Sequence, residues 1–145
     1  MSSVPPPRPP AMDWKLEVVI VPVSDVDRAK HFYSEQVGFN VDVDHQVTDT
    51  HRFVQLTPPG SGCSVTIGSG LTEMVAGSLK GLQLVVDDLD AARARLVEGG
   101  VDVTAIRHME GGDWVDGRGG RWNSFVFFSD PDGNAWTLQE RPAGE

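Results

Sequence analysis

The amino-acid sequence predicts an α+β domain built from two copies of a βαβββ module. The first indication is an internal repeat at an offset of 63 residues, in which Val23–Ala29 and Val86–Ala92 both lead from an apolar strand through an acidic turn into a helix. The second is that each predicted helix ends at a glycine, Gly38 or Gly99, before another strand begins. Self-similarity at a fixed offset is typical of one supersecondary unit used twice.

The predicted domain begins after a proline-rich arm at residues 1–12. This arm holds half of the ten prolines, so we expect it to be disordered. Residues 13–145 are long enough for one domain with its own core. Within it, the repeat assigns module one to residues 14–70 and module two to residues 79–141.

Module one starts with a strand at Leu16–Val23, which is nearly continuous in valine, isoleucine and leucine as buried strands are. Ser24 or Asp25 can then cap a helix that runs to about Gln36, with apolar residues at three- and four-residue steps. Three further strands are predicted at about 39–44, 51–57 and 63–68.

Module two repeats this order, with a strand at Gly81–Val86 and a helix at Leu89–Glu98. Residues 108–123 contain five glycines, so we expect an irregular loop that serves as a lid over a ligand. The remaining strands are predicted at 101–106, 124–129 and 135–140.

Composition restricts the class of partner. The net charge of -9 disfavours nucleic acid and anionic membrane surfaces, and it mildly favours a neutral or cationic ligand. No apolar run approaches the roughly 20 residues of a membrane span, and the N-terminus lacks the pattern of a signal peptide. We therefore expect a cytoplasmic protein without nucleic-acid or membrane partners.

The two βαβββ modules and two sequence segments, Val21–Ala29 and Asp130–Asn134, carry a resemblance to a known family. In these features the sequence closely resembles the vicinal oxygen chelate superfamily. This group includes glyoxalase I, bleomycin-resistance proteins and extradiol dioxygenases, and the resemblance covers about residues 14–140. It implies that the sheets curve into a half-barrel with the ligand on the concave face and the helices on the convex face. It also implies a homodimer, because members commonly pair their modules within a chain or across a dimer.

The resemblance also assigns four positions where metal-dependent members carry histidine, glutamate or glutamine. In this sequence they fall on Val18, Val65, Gly81 and Thr137. Valine and glycine cannot coordinate a divalent cation, which takes imidazole, thiolate or carboxylate ligands. We therefore expect no metal and no other cofactor.

Strand periodicity, counted from these positions, predicts the side chains that line the concave face. The predicted ligand-binding residues are Val18, Ile20, Arg52, Gln55, Val65, Gln83, Trp114, Trp122, Thr137 and Gln139. The two lid tryptophans suit stacking on a flat ligand. Two alternatives to ligand contact remain open. Gln83 and Gln139 can instead hydrogen-bond to each other, and the two tryptophans can instead only anchor their loop to the domain.

No catalytic triad or phosphate-binding motif occurs in the sequence. The candidate general bases are His51, at the start of a predicted strand, and His108, at the start of the predicted lid. Our first interpretation is metal-independent binding of a flat, largely apolar small molecule, as in the bleomycin-resistance branch. The alternatives are a metal-free isomerase, cyclase or lyase acting on an aromatic or polyketide-like substrate, and a metal-dependent glyoxalase or dioxygenase.

Overall fold

The computed structural model describes residues 4–144, which form two helices and two mixed β-sheets. Module one contains β1 (Val18–Ile20), α1 (Val26–His31, continued by a π-helical segment at Phe32–Val37), β2 (Asn40–Gln46), β3 (Arg52–Thr57) and β4 (Ser64–Ser69). Module two contains β5 (Leu82–Val86), α2 (Leu89–Glu98), β6 (Arg107–Glu110), β7 (Asp113–Asp116), β8 (Phe125–Ser129) and β9 (Ala135–Glu140). Neither helix in this described part of the chain is long and apolar enough to cross a membrane.

The two helices begin in the same way, as the repeat predicts. The carboxylate of Asp25 accepts a hydrogen bond from the backbone N–H of Arg28 at 3.0 Å, and Asp88 does the same for Ala91. Each aspartate thereby satisfies an N–H group that lacks a partner within its helix. The first helix ends at Gly38, whose φ of 100° is in the left-handed region that glycine adopts without strain.

Both sheets place the first strand of a module parallel to its last strand. The strand order is β1-β4-β3-β2 in the first sheet and β5-β9-β8-β6-β7 in the second. Ile20 lies opposite Thr66 in the first sheet, and Gln83 lies opposite Thr137 in the second. The predicted repeat of the βαβββ unit is therefore present in the strand register.

One hydrophobic core joins the two modules. Its residues come from α1 and its continuation, from α2, and from one face of each sheet, and they include Phe32, Tyr33, Val54, Leu56, Leu89, Leu96, Val126, Phe128, Trp136 and Leu138. We call the core side of each sheet its inner face and the other side its open face. Because one core uses both inner faces, both open faces turn away from it.

The predicted irregular loop at residues 108–123 is wrong in its first part, because residues 107–116 form a β-hairpin, while residues 117–123 contain no helix or strand. Gly111 and Gly112 have φ values of 58° and 89° and provide the two-residue turn between β6 and β7. Two successive positive φ angles match the twist of a tight hairpin, which explains the glycine pair. The predicted strand at 101–106 is reduced to a single bridge between Val103 and Phe128.

Candidate ligand-binding face

The open face of the second sheet consists of the side chains that alternate with core residues. Trp136 and Leu138 of β9 are buried, so Thr137 and Gln139 project to the other side. Their neighbours across the strands are on the same side, because Thr137 lies opposite both Gln83 and Phe127. The face is completed by Val85 and Phe125, which lie opposite Gln139.

Three aromatic rings form a cluster on this open face. The Trp114 ring centroid lies 4.9 Å from that of Phe127 and 5.2 Å from that of Phe125, and both contacts are nearly perpendicular. The two phenylalanine rings are stacked at 6.4 Å. Trp114 remains 46% exposed although it touches both rings. The hairpin thus presents a partly exposed indole over the sheet, and we call these three residues the aromatic cluster.

An amide pair lies beside the aromatic cluster. Gln83 Nε2 donates to Gln139 Oε1 at 2.7 Å, and Gln139 Nε2 donates to the backbone oxygen of Trp122, also at 2.7 Å. The two glutamines therefore bond each other, which was one of the two alternatives drawn from the sequence. Trp122 has a φ of 61°, a conformation that a bulky residue rarely adopts.

Two open cavities adjoin this face. One, of about 450 Å³, lies at the end of β8 and β9 and is lined by residues 102–104, 127–129 and 135–137, which include the core residues Phe128 and Trp136. The other, of about 520 Å³, lies between the turn at residues 58–61 and residues 83–85 of β5. Both volumes are in the range of small-molecule sites.

The open face of the first sheet contains three predicted ligand-binding residues. Val18, Ile20 and Gln55 share this face, since Val18 lies opposite Ser64 while Ile20 and Gln55 both lie opposite Thr66. The two aliphatic side chains are exposed. This second face is therefore aliphatic and polar, in contrast to the aromatic face of the other sheet.

The assignment of Val65 to the concave face is wrong. Val65 is 5% exposed and lies opposite Leu56 on the inner face, so it belongs to the core. The residue that corresponds to Thr137 is its neighbour Thr66. An alignment of Pro59 with Pro131 leads to Val65, but Thr66 follows Pro59 by one residue more than Thr137 follows Pro131, and a shift of one residue reverses the face.

Arg52 was also predicted to meet a ligand, and this assignment is wrong. It precedes the buried Val54 and Leu56 by two and four residues on β3, so it shares their inner face, near α1. Its guanidinium donates to Asp44 through Nε at 3.0 Å and Nη2 at 2.9 Å, and to Asp27 through Nη1 at 2.8 Å. These hydrogen bonds from Arg52, with a further one from Lys30, hold the pKa of Asp44 well below its usual range.

The two candidate bases have other partners. His51 precedes β3 in the first sheet, and its Nδ1 lies 3.1 Å from the hydroxyl oxygens of both Thr48 and Thr50. His108 is on β6, where it alternates with Met109, the residue opposite Trp114. Its side chain therefore projects from the opposite side of the hairpin to the aromatic cluster.

The surroundings of His108 favour its protonated form. Nδ1 lies 2.8 Å from the backbone oxygen of Gly117, and Nε2 lies 3.0 Å from Oε2 of Glu110. The hydrogen bond to Gly117, followed by that to Glu110, raises the pKa of His108. A ring that donates from both nitrogens has no lone pair with which to remove a proton.

The family positions for a metal do not fit one in this chain. Val18 has no ligand atom, Gly81 has no side chain, and Thr66 and Thr137 offer only neutral hydroxyls. Within residues 4–144, histidine, cysteine, aspartate and glutamate form no group of three or more arranged to hold a metal ion.

The sequence comparisons agree with this architecture. Residues 15–138 match the family model of the Glyoxalase/Bleomycin resistance protein/Dioxygenase superfamily. The "Uncharacterized protein YetH" of Bacillus subtilis (strain 168) is 27% identical over 130 residues, which cover 87% of this chain and 98% of that relative.

Solved structures show greater similarity. TnmS3, an antibiotic binding protein from Streptomyces sp. CB03234, is 37% identical with a TM-score of 0.72, covering 90% of this chain and 98% of its own. A glyoxalase/bleomycin resistance protein from the same organism is 38% identical with a TM-score of 0.69, covering 87% of this chain and 100% of its own. A superfamily member from Sphaerobacter thermophilus DSM 20745 is 31% identical with a TM-score of 0.71, over 90% of this chain and 100% of its own.

Proposed function

We propose that this chain, which belongs to the Glyoxalase/Bleomycin resistance protein/Dioxygenase superfamily, binds a flat, largely apolar small molecule on the open face of its second sheet without a metal ion. The observation that carries the proposal is the aromatic cluster. A partly exposed indole held perpendicular to two phenylalanine rings offers a flat ligand both a ring to stack on and ring edges to contact.

The similarity to TnmS3 supports a small-molecule ligand. That protein is an antibiotic binding protein, and its 37% identity extends over 90% of this chain. The net charge of -9 adds a preference for a neutral or cationic ligand over an anionic one.

Binding is favoured over catalysis because no candidate base projects from the aromatic face. His108 is on the other side of its hairpin and bonds two acceptors, while His51 belongs to a turn of the first sheet. Gln83 and Gln139 are neutral amides that do not transfer protons near pH 7.

We also propose that the protein is a homodimer. In the described residues, β1 and β5 are edge strands, each paired on one side only. Alternate residues along β1 and the segment before it are apolar and between 37% and 84% exposed, namely Met12, Trp14, Leu16, Val18 and Ile20. A second copy that covers this stripe would remove it from water, and an exposed apolar stripe of this kind marks an interaction surface.

The experiment that tests the binding proposal is isothermal titration calorimetry with proflavine, a flat cationic dye. We expect the wild type to bind it, Trp114→Ala to bind about tenfold more weakly, and Trp114→Phe to retain most of the affinity because it keeps an aromatic ring. Equal affinity in all three proteins would place the dye elsewhere and contradict the assigned site.

Mass spectrometry of the dye after prolonged incubation separates binding from catalysis. Recovery of unchanged compound is expected. A product of new mass or new retention time would instead support the metal-free isomerase, cyclase or lyase.

A further inference from the structure

The backbone oxygen of Trp122 determines how the amide pair is oriented. A carbonyl oxygen can only accept a hydrogen bond, so Gln139 must direct its NH₂ group towards it, as the distance of 2.7 Å between Gln139 Nε2 and that oxygen requires. Gln139 Oε1 then faces Gln83 and must accept. Gln83 consequently directs its own NH₂ group towards Gln139, at 2.7 Å.

The loop that carries this carbonyl is held in place by further hydrogen bonds. Asn123 exchanges two with the backbone of Met109, accepting from its N–H at 2.8 Å and donating to its oxygen at 2.9 Å. Trp122 keeps a φ of 61°, in the left-handed region, which costs a non-glycine residue about 1–2 kcal/mol. The N–H of the same peptide, that of Asn123, donates to the backbone oxygen of Gly120 at 3.1 Å, so the Trp122 carbonyl cannot turn away without breaking this bond.

One consequence concerns the group that Gln83 offers to the open face. Since its nitrogen is directed at Gln139, its oxygen Oε1 points away from that residue. The hydroxyl of Thr137, directly across from Gln83, can donate or accept and so imposes no polarity of its own. Val85, on the same strand, has no polar side-chain atom.

We propose that this relay, from the Trp122 carbonyl through Gln139 to Gln83, fixes Gln83 Oε1 as a hydrogen-bond acceptor on the binding face. The ligand it selects is a flat aromatic compound that carries a hydroxyl or N–H donor at its ring edge. Gln83 is the residue that contacts the donor, and Gln139 is a positioning residue that orients it. This inference rests on the proposed function, because it assumes that the ring of the ligand lies on the aromatic cluster.

The test compares two neutral probes that differ only in a hydrogen-bond donor. Naphthol and methoxynaphthalene, substituted at the same ring position, are titrated into the protein by calorimetry. We expect the wild type to bind naphthol about 3- to 10-fold more tightly, the effect of one neutral hydrogen bond. Gln83→Leu should abolish this preference. Gln139→Leu should reduce it, because an unrestrained Gln83 amide can turn its NH₂ group to the methoxy oxygen as readily as its Oε1 to the hydroxyl.

Gln46→Leu is the matched control, since Gln46 is an exposed amide on β2 of the other sheet that, like Gln139, donates to a backbone oxygen. It should leave the preference for naphthol unchanged. A preference that is undiminished in Gln139→Leu would contradict the relay, because a merely structural Gln139 alters the affinity for both probes and not their ratio. If neither glutamine variant folds, the wild-type ratio still decides, since equal binding of the two probes overturns the inference.

The outcomes also separate this inference from the proposed function. Binding of proflavine that depends on Trp114, without discrimination between the two naphthalenes, refutes the acceptor polarity and leaves the binding function intact. Failure of the wild type to bind proflavine and both naphthalenes refutes the two proposals together.

Discussion

The phenolic oxygen of Tyr33 lies 2.7 Å from Oδ2 of Asp130, a residue 97 positions later in the chain, and both side chains are buried. The same phenolic oxygen accepts a hydrogen bond from Nε1 of Trp136 at 2.9 Å. Asp130 also accepts hydrogen bonds from Asn134, whose side chain in turn donates to the backbone oxygen of Pro22. This buried polar network therefore connects the helix of module one to the last turn of module two.

We predict that Tyr33→Phe destabilises the protein by about 1–3 kcal/mol, because it leaves Asp130 and Trp136 each without one buried partner. Burial, reinforced by the charge of Asp130, raises the pKa of Tyr33, so the hydroxyl remains a donor at neutral pH. Urea unfolding measures the change. An unchanged free energy of unfolding in Tyr33→Phe would mean that the network is not stabilising.

Trp136 and Trp114 should respond differently to truncation. We expect Trp136→Ala to lower the free energy of unfolding by about 3–5 kcal/mol, because its side chain is almost fully buried against Tyr33, Phe39 and Phe128. Trp114→Ala removes a half-exposed ring and should cost about 0.5–1.5 kcal/mol from its aromatic contacts. Urea unfolding of both variants is the measurement, and equal losses would show that Trp114 is a core residue.

His108 should make the stability of the hairpin depend on pH. Its pKa is raised in the folded protein, so its contribution is fully present below the unfolded value of about 6.5 and is lost as the pH rises through the folded value. We expect the difference in unfolding free energy between wild type and His108→Gln to shrink over that window. Titration by NMR should show a pKa above 6.5 that falls in Glu110→Gln, and an unshifted pKa would contradict the double hydrogen bond.

The family positions for metal ligands should remain without a metal. We expect the purified protein to contain no stoichiometric nickel, zinc, manganese or iron, and a chelator to leave its melting temperature unchanged, since valine, glycine and threonine occupy these positions. Elemental analysis is the direct measurement. One metal ion per chain that a chelator removes would restore the glyoxalase-like interpretation.

The homodimer can be tested by placing a charge on the exposed stripe. Leu16→Glu should convert a dimer into a monomer of 15.7 kDa, because it puts a carboxylate on the surface that the second copy would cover. Light scattering after size-exclusion chromatography gives the mass. Val75→Glu is the matched control at an exposed valine outside the stripe, and loss of the dimer there as well would point to general destabilisation.

Local sequence determined the two modules, because their signals act over a few residues. An aspartate before each helix, a glycine after it and the turn at residues 130–134 specify backbone conformations without reference to the rest of the chain. The apolar pattern of the strands, together with the repeat, was sufficient to place β2, β3 and β4 of module one and β5, α2, β8 and β9 of module two. It was not sufficient for β1, which is limited to Val18–Ile20 and has exposed side chains instead of forming the buried strand predicted at Leu16–Val23.

Tertiary structure decided which side chains reach the candidate site. Val65 and Thr66 differ by one position, and only the length of the preceding turn and the register with β1 place the threonine on the open face. The guanidinium of Arg52 could by its chemistry bind an anionic ligand. Its N–H groups instead donate to the carboxylates of Asp44 and Asp27, which lie 8 and 25 positions earlier in the chain. Phe125 and Phe127 became part of the site only through β6 and β7, whose glycine-pair turn was the one local signal that could have revealed the hairpin. Turn length, strand register and contacts between distant residues are properties of the folded chain, and single-residue preferences do not specify them.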